Sequence, residues 1–186
     1  MKVTGVVLAG GQSKRMGQNK ALMPFKSSTL IEQVLATLCS FTDEQIIIGD
    51  PEIYCRFGTV YADVFPGKGP LGGLHSALLN SNTDLNFVVG CDMPKIDRSI
   101  FDHLLGHDGE EYDAFVPIHA GQMEPLCALY SKKCLDHFAD CLEQDMLKLS
   151  DAFSGIRVKF VQVGPGTEID DLDVFKNLNL PEDIEQ

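Results

Sequence analysis

The sequence lacks any apolar run that approaches the ~20 residues of a membrane-spanning helix, and its first residues lack the apolar core of a secretory signal. It is also poor in cations, with 15 Lys and Arg against 27 Asp and Glu and a formal net charge of −12. An acidic chain repels nucleic acid, and no stripe of basic and aromatic residues counters this repulsion. We therefore expect a cytoplasmic protein that binds neither nucleic acid nor a membrane.

None of the six cysteines forms a Cys-x-x-Cys pair, which argues against a zinc ribbon or a thioredoxin-type site. We expect them to be reduced and to act as small hydrophobic side chains, because disulfides are rare in the cytoplasm. The sequence also has no linker, repeat or low-complexity tract. Its length suits one well-packed domain, so residues 1–186 are predicted to form a single domain.

A glycine-rich segment directly follows the first apolar stretch. Residues Val3–Leu8 are rich in β-branched side chains and predict a buried parallel strand. The strand ends at Ala9-Gly10-Gly11, where small residues let the backbone turn and let a ligand approach its N–H groups. Three cations follow, Lys14, Arg15 and Lys20. Backbone donors and cations at the end of a first strand predict a polyphosphate site.

The spacing of these glycines matches no common phosphate motif. It is not a P-loop, because Gly17 is followed by Gln18 rather than by Lys and Ser or Thr, and the G-x-G-x-x-G dinucleotide fingerprint is missing. On the glycines alone, a phosphate or nucleotide loop and a plain turn with a solvated basic face fit equally well.

The order of residues around the glycines is more specific. The pattern Leu8-Ala-Gly-Gly-x-Ser-x-Arg15-Met-Gly17-x-x-Lys20 resembles the signature of Rossmann-like nucleotidyltransferases, and among them most closely the molybdenum cofactor guanylyltransferase family. Relatives that use CTP usually read Leu-Ala-Ala-Gly, so Gly10 favours the guanylyl branch. The resemblance implies that the backbone of Leu8, Ala9, Gly10 and Gly11 binds the nucleotide, and that Arg15 and Lys20 neutralise the triphosphate during catalysis.

Apolar periodicity predicts alternating strands and helices along the chain, which is typical of an α/β fold. The further predicted strands are 45–48, 59–64, 85–90, 114–117, 125–130 and 158–163, and the predicted helices are 30–38, 71–79, 100–105, 131–142 and 146–153. With the resemblance, this pattern predicts a three-layer Rossmann-like fold, with a mostly parallel sheet flanked by helices. Gly10, Asp63 and Asp92 all fall at predicted strand ends, where such sheets bind ligands.

Asp92 is the predicted metal ligand. A carboxylate just beyond an apolar strand is a natural ligand for a Mg²⁺ ion that also binds phosphate oxygens. An aspartate that only caps the following turn is the structural alternative. The segment Cys91-Asp92-Met93-Pro94 resembles the metal-holding Cys-Asp-x-Pro segment of the guanylyltransferases. The resemblance therefore implies that Asp92 holds Mg²⁺ and contacts the nucleotide.

A second segment resembles the family's Gly-Pro-Leu-Ala-Gly loop, with Gly72 in place of alanine. The resemblance implies that Gly69, Pro70 and Leu71 line the nucleotide and that Asp63 contacts its guanosine part. Pro70 also suits the first turn of a helix, and the two roles are compatible. Where the guanine enzymes commonly carry an asparagine after the second strand, this chain has Gly49-Asp50.

Two further segments resemble the segments that lie near the pterin in members of this family. In residues 119–126, the resemblance implies that Gln122, Glu124 and Pro125 bind the acceptor, whereas turn chemistry alone fits a plain hairpin. The tail around Asn177 and Asn179 resembles an Asn-x-Asn-Thr-Pro-Glu ending, with Leu180 replacing the threonine, and adds Asn179 to the acceptor site.

We predict a Mg²⁺-dependent nucleotidyltransferase that transfers GMP from GTP to molybdopterin or its molybdenum-loaded form and releases pyrophosphate. Direct transfer needs no covalent nucleophile, because positioning and charge stabilisation suffice. One alternative is a CTP-dependent enzyme of the same fold, acting on molybdopterin or on a sugar or polyol phosphate. Another is a non-catalytic nucleotide-binding adaptor. Transient contact with a protein that delivers molybdopterin or receives the product is also expected.

Overall fold

A computed structural model of the chain describes residues 1–10, 19–107, 111–167, 169, 172–176 and 178. The strands in this part are β1 Val3–Leu8, β2 Pro24–Phe25, β3 Ser28–Thr29, β4 Glu44–Ile48, β5 Thr59–Tyr61, β6 Leu85–Gly90, β7 Ala114–His119, β8 Gln122–Met123, β9 Cys127–Ser131 and β10 Val158–Val163. The α-helices are α1 Leu30–Cys39, α2 Pro51–Tyr54, α3 Pro70–Asn80, α4 Arg98–Leu105, α5 Leu135–Glu143 and α6 Leu149–Ala152. None of the helices described there is long and apolar enough to cross a membrane.

The main sheet has the strand order β10-β7-β9-β6-β1-β4-β5, and β8 pairs with β7. Strands β6, β1, β4 and β5 are parallel neighbours, and β10 is parallel to β7. Strand β9 lies between β6 and β7 and is antiparallel to both. Strands β2 and β3 form a separate two-stranded hairpin. The predicted α/β architecture with a mostly parallel sheet is confirmed.

The core has two layers, one on each face of the sheet. On β6, Phe87 and Val89 belong to one apolar cluster and Val88 to the other, as the two-residue period of a strand requires. The first cluster also contains the buried faces of α1 and α4, and the second those of α3 and α5. Helices therefore cover both faces of the sheet, which explains why every residue of β1 and β6 is buried.

Helix α1 begins as the sequence predicts. The Glu32 carboxylate accepts hydrogen bonds from the Thr29 backbone N–H (2.8 Å) and the Thr29 hydroxyl (2.7 Å), within a capping box. All six cysteines are unpaired, and Cys127, Cys134 and Cys141 are buried in the core.

Strand β5 is shorter than predicted and ends at Tyr61 rather than Val64. The Val64 N–H donates to the Ser76 hydroxyl at 2.9 Å, and the Phe65 N–H donates to Asp63 Oδ1 at 3.0 Å. Because side chains take these two backbone donors, the chain leaves the sheet before Asp63.

The helix boundaries after β9 also differ from prediction. Ser131 is the last residue of β9, and a 3₁₀ turn, Lys132–Cys134, precedes α5. Helix α6 begins at Leu149 rather than Met146, because the Met146 N–H donates back to the Cys141 carbonyl at 2.8 Å. That bond closes the end of α5 before the next helix can start.

Candidate functional site

Four parallel strands end in register at one edge of the sheet. Leu8 of β1 pairs with Gly90 of β6 and Ile48 of β4, and Ile48 pairs with Tyr61 of β5. Backbone hydrogen bonds extend the alignment, with Ala9 N–H donating to Ile48 (2.9 Å) and Gly49 N–H to Tyr61 (3.0 Å). The residues two positions beyond these strand ends are Gly10, Asp50, Asp63 and Asp92. The structure therefore places three carboxylates and a glycine at this edge.

Lys20 and Asp92 form an ion pair at this edge. Lys20 Nζ donates to Asp92 Oδ2 at 2.7 Å, although the two residues are far apart in the sequence. The lysine side chain is only 16% exposed and the aspartate 26%. Partial burial reduces screening by salt, so this pair interacts more strongly than an exposed one. Two of the predicted catalytic residues are thus brought into direct contact.

A tight turn and one glycine hold Asp92 in place. The Met93 N–H donates to the Gly90 carbonyl at 3.2 Å, and the Asp92 carbonyl accepts the Leu178 N–H at 3.0 Å. A Cβ atom at Gly90 would lie 2.6 Å from Asp92 Oδ1, which is closer than non-bonded atoms can approach. Glycine at this position therefore makes the room that the carboxylate occupies.

The residues present fit one mode of metal binding. Within the described ranges, no three His, Cys, Asp or Glu side chains cluster closely enough to form a cage for a metal ion. Mg²⁺ needs no such cage, since it binds one or two carboxylates together with phosphate oxygens and water. Asp92, partly exposed at the strand-end edge, fits an ion that arrives with a phosphate.

Most of the predicted phosphate loop, including Gly11, Lys14 and Arg15, lies outside the described residues. Its two flanks are joined by Tyr54, which the sequence analysis missed. The Tyr54 hydroxyl lies 3.2 Å from the Ala9 carbonyl oxygen and 2.9 Å from Asn19 Oδ1. Burial raises the pKa of Tyr54, so the hydroxyl stays a donor at neutral pH.

The glycine at position 49 is the sequence feature that indicates how closely Tyr54 packs here. A Cβ atom there would lie 2.8 Å from the ring of Tyr54. The next residue, Asp50, caps α2 by accepting the Glu52 N–H at 2.9 Å. The contact with Tyr54 therefore explains glycine at position 49, whereas asparagine would cap α2 as well as Asp50 does.

Asp63 is anchored to α3. Its Oδ1 accepts hydrogen bonds from the Ser76 hydroxyl (2.9 Å) and the Phe65 N–H (3.0 Å). A Cβ atom at Gly72 would lie 2.8 Å from the Phe65 carbonyl oxygen and 3.3 Å from both Asp63 carboxylate oxygens. Glycine rather than alanine thus lets the loop fold onto the helix. Helix α3 does begin at Pro70, after Gly69 with φ 72°.

His75 lies under the same loop. It is 7% exposed, and no described atom hydrogen-bonds to its Nδ1. Its ring packs edge-on against Phe65 with centroids 5.0 Å apart. Burial lowers the pKa of His75, although nearby Asp63 acts in the opposite direction. The imidazole is therefore neutral at pH 7 and supports the loop by packing.

The predicted acceptor segment is a hairpin. Strands β7 and β8 are joined by Ala120 (φ 47°) and Gly121 (φ 78°), and Gln122 is exposed. Glu124 is half-buried, and burial raises the pKa of its carboxyl group. No described residue hydrogen-bonds to that carboxyl group. Asn179 lies outside the described residues.

The start of β9 connects this hairpin to the strand that leads to Asp92. The Leu126 carbonyl accepts the Gly90 N–H at 2.9 Å. Pro125, beside it, is held by its carbonyl, which accepts the Tyr130 hydroxyl at 2.8 Å. The structure thus brings the predicted nucleotide and acceptor segments to one edge of the sheet.

Comparison with known proteins agrees with this arrangement. Residues 5–155 match the family model of the MobA-like NTP transferase domain. The chain belongs to the MobA-like NTP transferase family. A relative from Clostridium perfringens, named probable molybdenum cofactor guanylyltransferase, is 34% identical over 190 residues, which cover 100% of this chain and 96% of the relative.

Solved structures give the same result. Molybdopterin-guanine dinucleotide biosynthesis protein A from Archaeoglobus fulgidus superposes with a TM-score of 0.84 at 26% identity, over 98% of this chain and 95% of its own. 2-C-methyl-D-erythritol 4-phosphate cytidylyltransferase from Thermus thermophilus has a TM-score of 0.68 at 16% identity, over 97% and 94% of the two chains, and shows the shared fold alone. The family resemblance of the sequence is confirmed.

The MobA-like transferase carries a cysteine, Cys91, next to Asp92. Burial, followed by the charge of Asp92, raises the pKa of the Cys91 thiol to about 12. The thiol is therefore protonated at neutral pH and is a poor nucleophile.

Proposed function

We propose that this MobA-like NTP transferase transfers GMP from GTP to the terminal phosphate of molybdopterin or its molybdenum-loaded form. An oxygen of the acceptor phosphate bonds to the α-phosphorus of GTP, the bond between the α- and β-phosphates breaks, and pyrophosphate leaves. The Lys20–Asp92 ion pair, 2.7 Å long at the strand-end edge, carries the proposal. The names of the relatives support the choice of nucleotide and acceptor.

The pair suits a metal-bound triphosphate because each member can exchange one partner for another of the same charge. Lys20 can pass from a carboxylate to phosphate oxygens, and Asp92 from an ammonium group to a metal ion. Bound there, Mg²⁺ would neutralise phosphate charge. Lys20, and Arg15 by the family resemblance, stabilise the charge that develops on the departing pyrophosphate.

The backbone after β1 supports close approach of the nucleotide. Among the described residues, the nearest atom to a Cβ placed at Gly10 is the Ile48 carbonyl oxygen, at an ordinary 3.8 Å, so packing against this part of the chain does not require glycine here. An open backbone that packing does not explain favours contact with a ligand. Leu8, Ala9, Gly10 and Gly11 are assigned to the nucleotide on this basis and on the family resemblance, together with Asp63, Gly69, Pro70 and Leu71.

The hairpin supports an acceptor site. The half-buried Glu124 carboxyl group can accept hydrogen bonds from the amino and ring N–H groups of a pterin. Gln122, Pro125 and Asn179 are assigned to the same site by the resemblance. A cytoplasmic location and transient contact with cofactor-delivering or cofactor-receiving proteins stay predictions.

A thermal-shift panel of GTP, CTP, ATP and UTP, each with and without Mg²⁺, tests the nucleotide. A ligand at about 100 times its Kd stabilises by roughly 2.7 kcal/mol, which shifts Tm by on the order of 5–10 °C. We expect a Mg²⁺-dependent shift with GTP alone. A shift with CTP alone would instead identify a cytidylyltransferase.

Pyrophosphate release from GTP in the presence of molybdopterin tests the reaction. We expect release that requires both substrates and Mg²⁺. Binding of GTP with no pyrophosphate released when the acceptor is present would contradict the proposal and would identify a nucleotide-binding adaptor.

A further inference from the structure

Asp145 stands where a helix ordinarily ends in glycine. After α5, the Asp145 N–H donates to the Leu142 carbonyl (3.2 Å) and the Met146 N–H to the Cys141 carbonyl (2.8 Å). These two bonds form a Schellman motif, whose left-handed residue is usually glycine. Asp145 occupies that position with φ 59°, a conformation that strains a residue with a Cβ atom. Glycine would suit the helix end better, so the carboxylate has another use.

The Asp145 carboxylate contacts the loop that leads into α3. Its Oδ1 accepts a hydrogen bond from Lys68 Nζ at 2.5 Å, in an ion pair that joins residues 77 positions apart. The Asp145 side chain is 72% exposed and that of Lys68 37%. Exposed ion pairs contribute little to global stability. The effect of the Lys68–Asp145 pair is therefore expected on the position of the loop before α3.

Lys68 lies between two glycines in left-handed conformations. Gly67 has φ 83° and Gly69 has φ 72°, and a Cβ atom at either would meet no atom of the described residues within 4 Å. Close packing therefore does not hold this stretch, and glycines give it many alternative conformations. One backbone hydrogen bond holds the stretch, from the Lys68 N–H to the Phe65 carbonyl at 3.2 Å. The ion pair adds a tether to a separate helix.

We propose that Lys68 and Asp145 are positioning residues that hold the loop 66–69 in its nucleotide-binding conformation. The inference rests on the proposed function, which assigns Gly69, Pro70 and Leu71 to the nucleotide. A loop that is already ordered loses less conformational entropy when the ligand binds. The pair therefore strengthens nucleotide binding without touching the reacting phosphates.

The variant Asp145→Gly separates this role from a structural one. It removes the carboxylate and relieves the left-handed strain, so we expect an equal or higher Tm together with a KM for GTP raised roughly two- to fivefold, the range for an exposed pair. The turnover number is expected to stay unchanged. Lys68→Met should raise KM similarly, and the double variant should raise it no further, because each change removes the same interaction.

A matched control is Asp102→Asn, which removes an exposed pair with Arg98 (3.0 Å) on α4 and should leave KM unchanged. If Asp145→Gly leaves KM unchanged while the wild type turns over GTP, the inference is wrong and the proposed function stands. A fall in Tm that accompanies the rise in KM would also overturn it, by showing that Asp145 supports the helix end. A wild type without Mg²⁺-dependent GTP binding would overturn both.

Discussion

The two halves of the site differ in how their polar groups are held. At the strand-end edge, which is proposed to bind the nucleotide and is called the nucleotide edge below, Lys20 is bonded to Asp92, and Asp63 to Ser76, so the charged and polar groups already have protein partners. At the acceptor hairpin, the Glu124 carboxyl group is half-buried and hydrogen-bonded to no described residue.

The difference shows how each half is stabilised. Polar groups bonded to each other are fixed before a ligand arrives, so the nucleotide edge is preorganised for a highly charged ligand. A half-buried carboxyl group without a bond instead costs stability until something binds it. Substitutions at the nucleotide edge should therefore lower activity. A substitution that removes the charge of Glu124 in the acceptor hairpin should increase stability.

The largest effect is expected from Asp92→Asn. The variant keeps the side-chain shape and loses the charge that pairs with Lys20 and that would hold a metal ion. We expect pyrophosphate release to fall at least about a hundredfold, the range for removing a preorganised electrostatic group, with the fold intact by circular dichroism. Asp97→Asn is the control, because asparagine caps α4 as well as aspartate and activity should be unchanged. A variant at position 92 with an undiminished rate would remove Asp92 from the mechanism.

A smaller effect is expected from Gly90→Ala. The added methyl group would lie 2.6 Å from Asp92 Oδ1, and the carboxylate can rotate away at little cost in stability. We expect a rate lower by about tenfold and a higher Mg²⁺ concentration for half-maximal rate, with little change in Tm. An unchanged Mg²⁺ dependence would show that the orientation of Asp92 is not critical.

Tyr54→Phe should have a moderate effect on the nucleotide edge. The change removes the hydroxyl that joins Ala9 to Asn19, which costs about 1 kcal/mol, or roughly 2–4 °C in Tm. We expect KM for GTP to rise about threefold because the loop ends are no longer tied. Tyr130→Phe removes another buried hydroxyl, 2.8 Å from the Pro125 carbonyl, and should lower Tm without changing KM for GTP. Equal KM values for the two variants would contradict the role of Tyr54.

The smallest effect is expected from Glu124→Gln, which should raise the stability of the protein rather than lower it. Burial raises the pKa of Glu124 in the folded chain, so the contribution of this carboxyl group to stability is greatest below the ordinary value of 4.5 and is lost as pH rises through the raised pKa. Glutamine does not titrate, so we expect its Tm to exceed that of the wild type by about 1 °C at pH 7 and by less at pH 4. An equal gain at both pH values would point to packing. Acceptor turnover should decrease in the same variant.

The sequence predicted which residues meet at the strand ends better than it predicted the surroundings of the hairpin, for a physical reason. Parallel strands buried on both faces leave long apolar runs, and their carboxyl ends meet at one edge, so Gly10, Asp63 and Asp92 could be placed together. Strand β9 was predicted as a strand, and the hairpin alternative for residues 119–126 implied that it runs antiparallel to β7, but apolar periodicity carries no information on its other neighbour. Its insertion between β6 and β7 therefore emerged only from the structure.

Long-range side-chain contacts were also beyond the reach of the sequence. Tyr54 and Asn19 are 35 positions apart and Lys68 and Asp145 are 77 apart, with no rule of spacing to pair them. The sequence indicated these two contacts only indirectly. Gly49 stood where a Cβ atom would meet Tyr54, and an aspartate stood at a helix end that favours glycine.

The reversed direction of β9 has an evolutionary consequence. Because β9 starts where β6 ends, the hairpin before it reaches the Asp92 edge without contributing to the strands β1, β4 and β5. Insertions or exchanges between His119 and Leu126 leave the paired core of those strands untouched. If the hairpin binds the acceptor as proposed, natural selection or a protein engineer can change the acceptor while the proposed nucleotide site stays as it is.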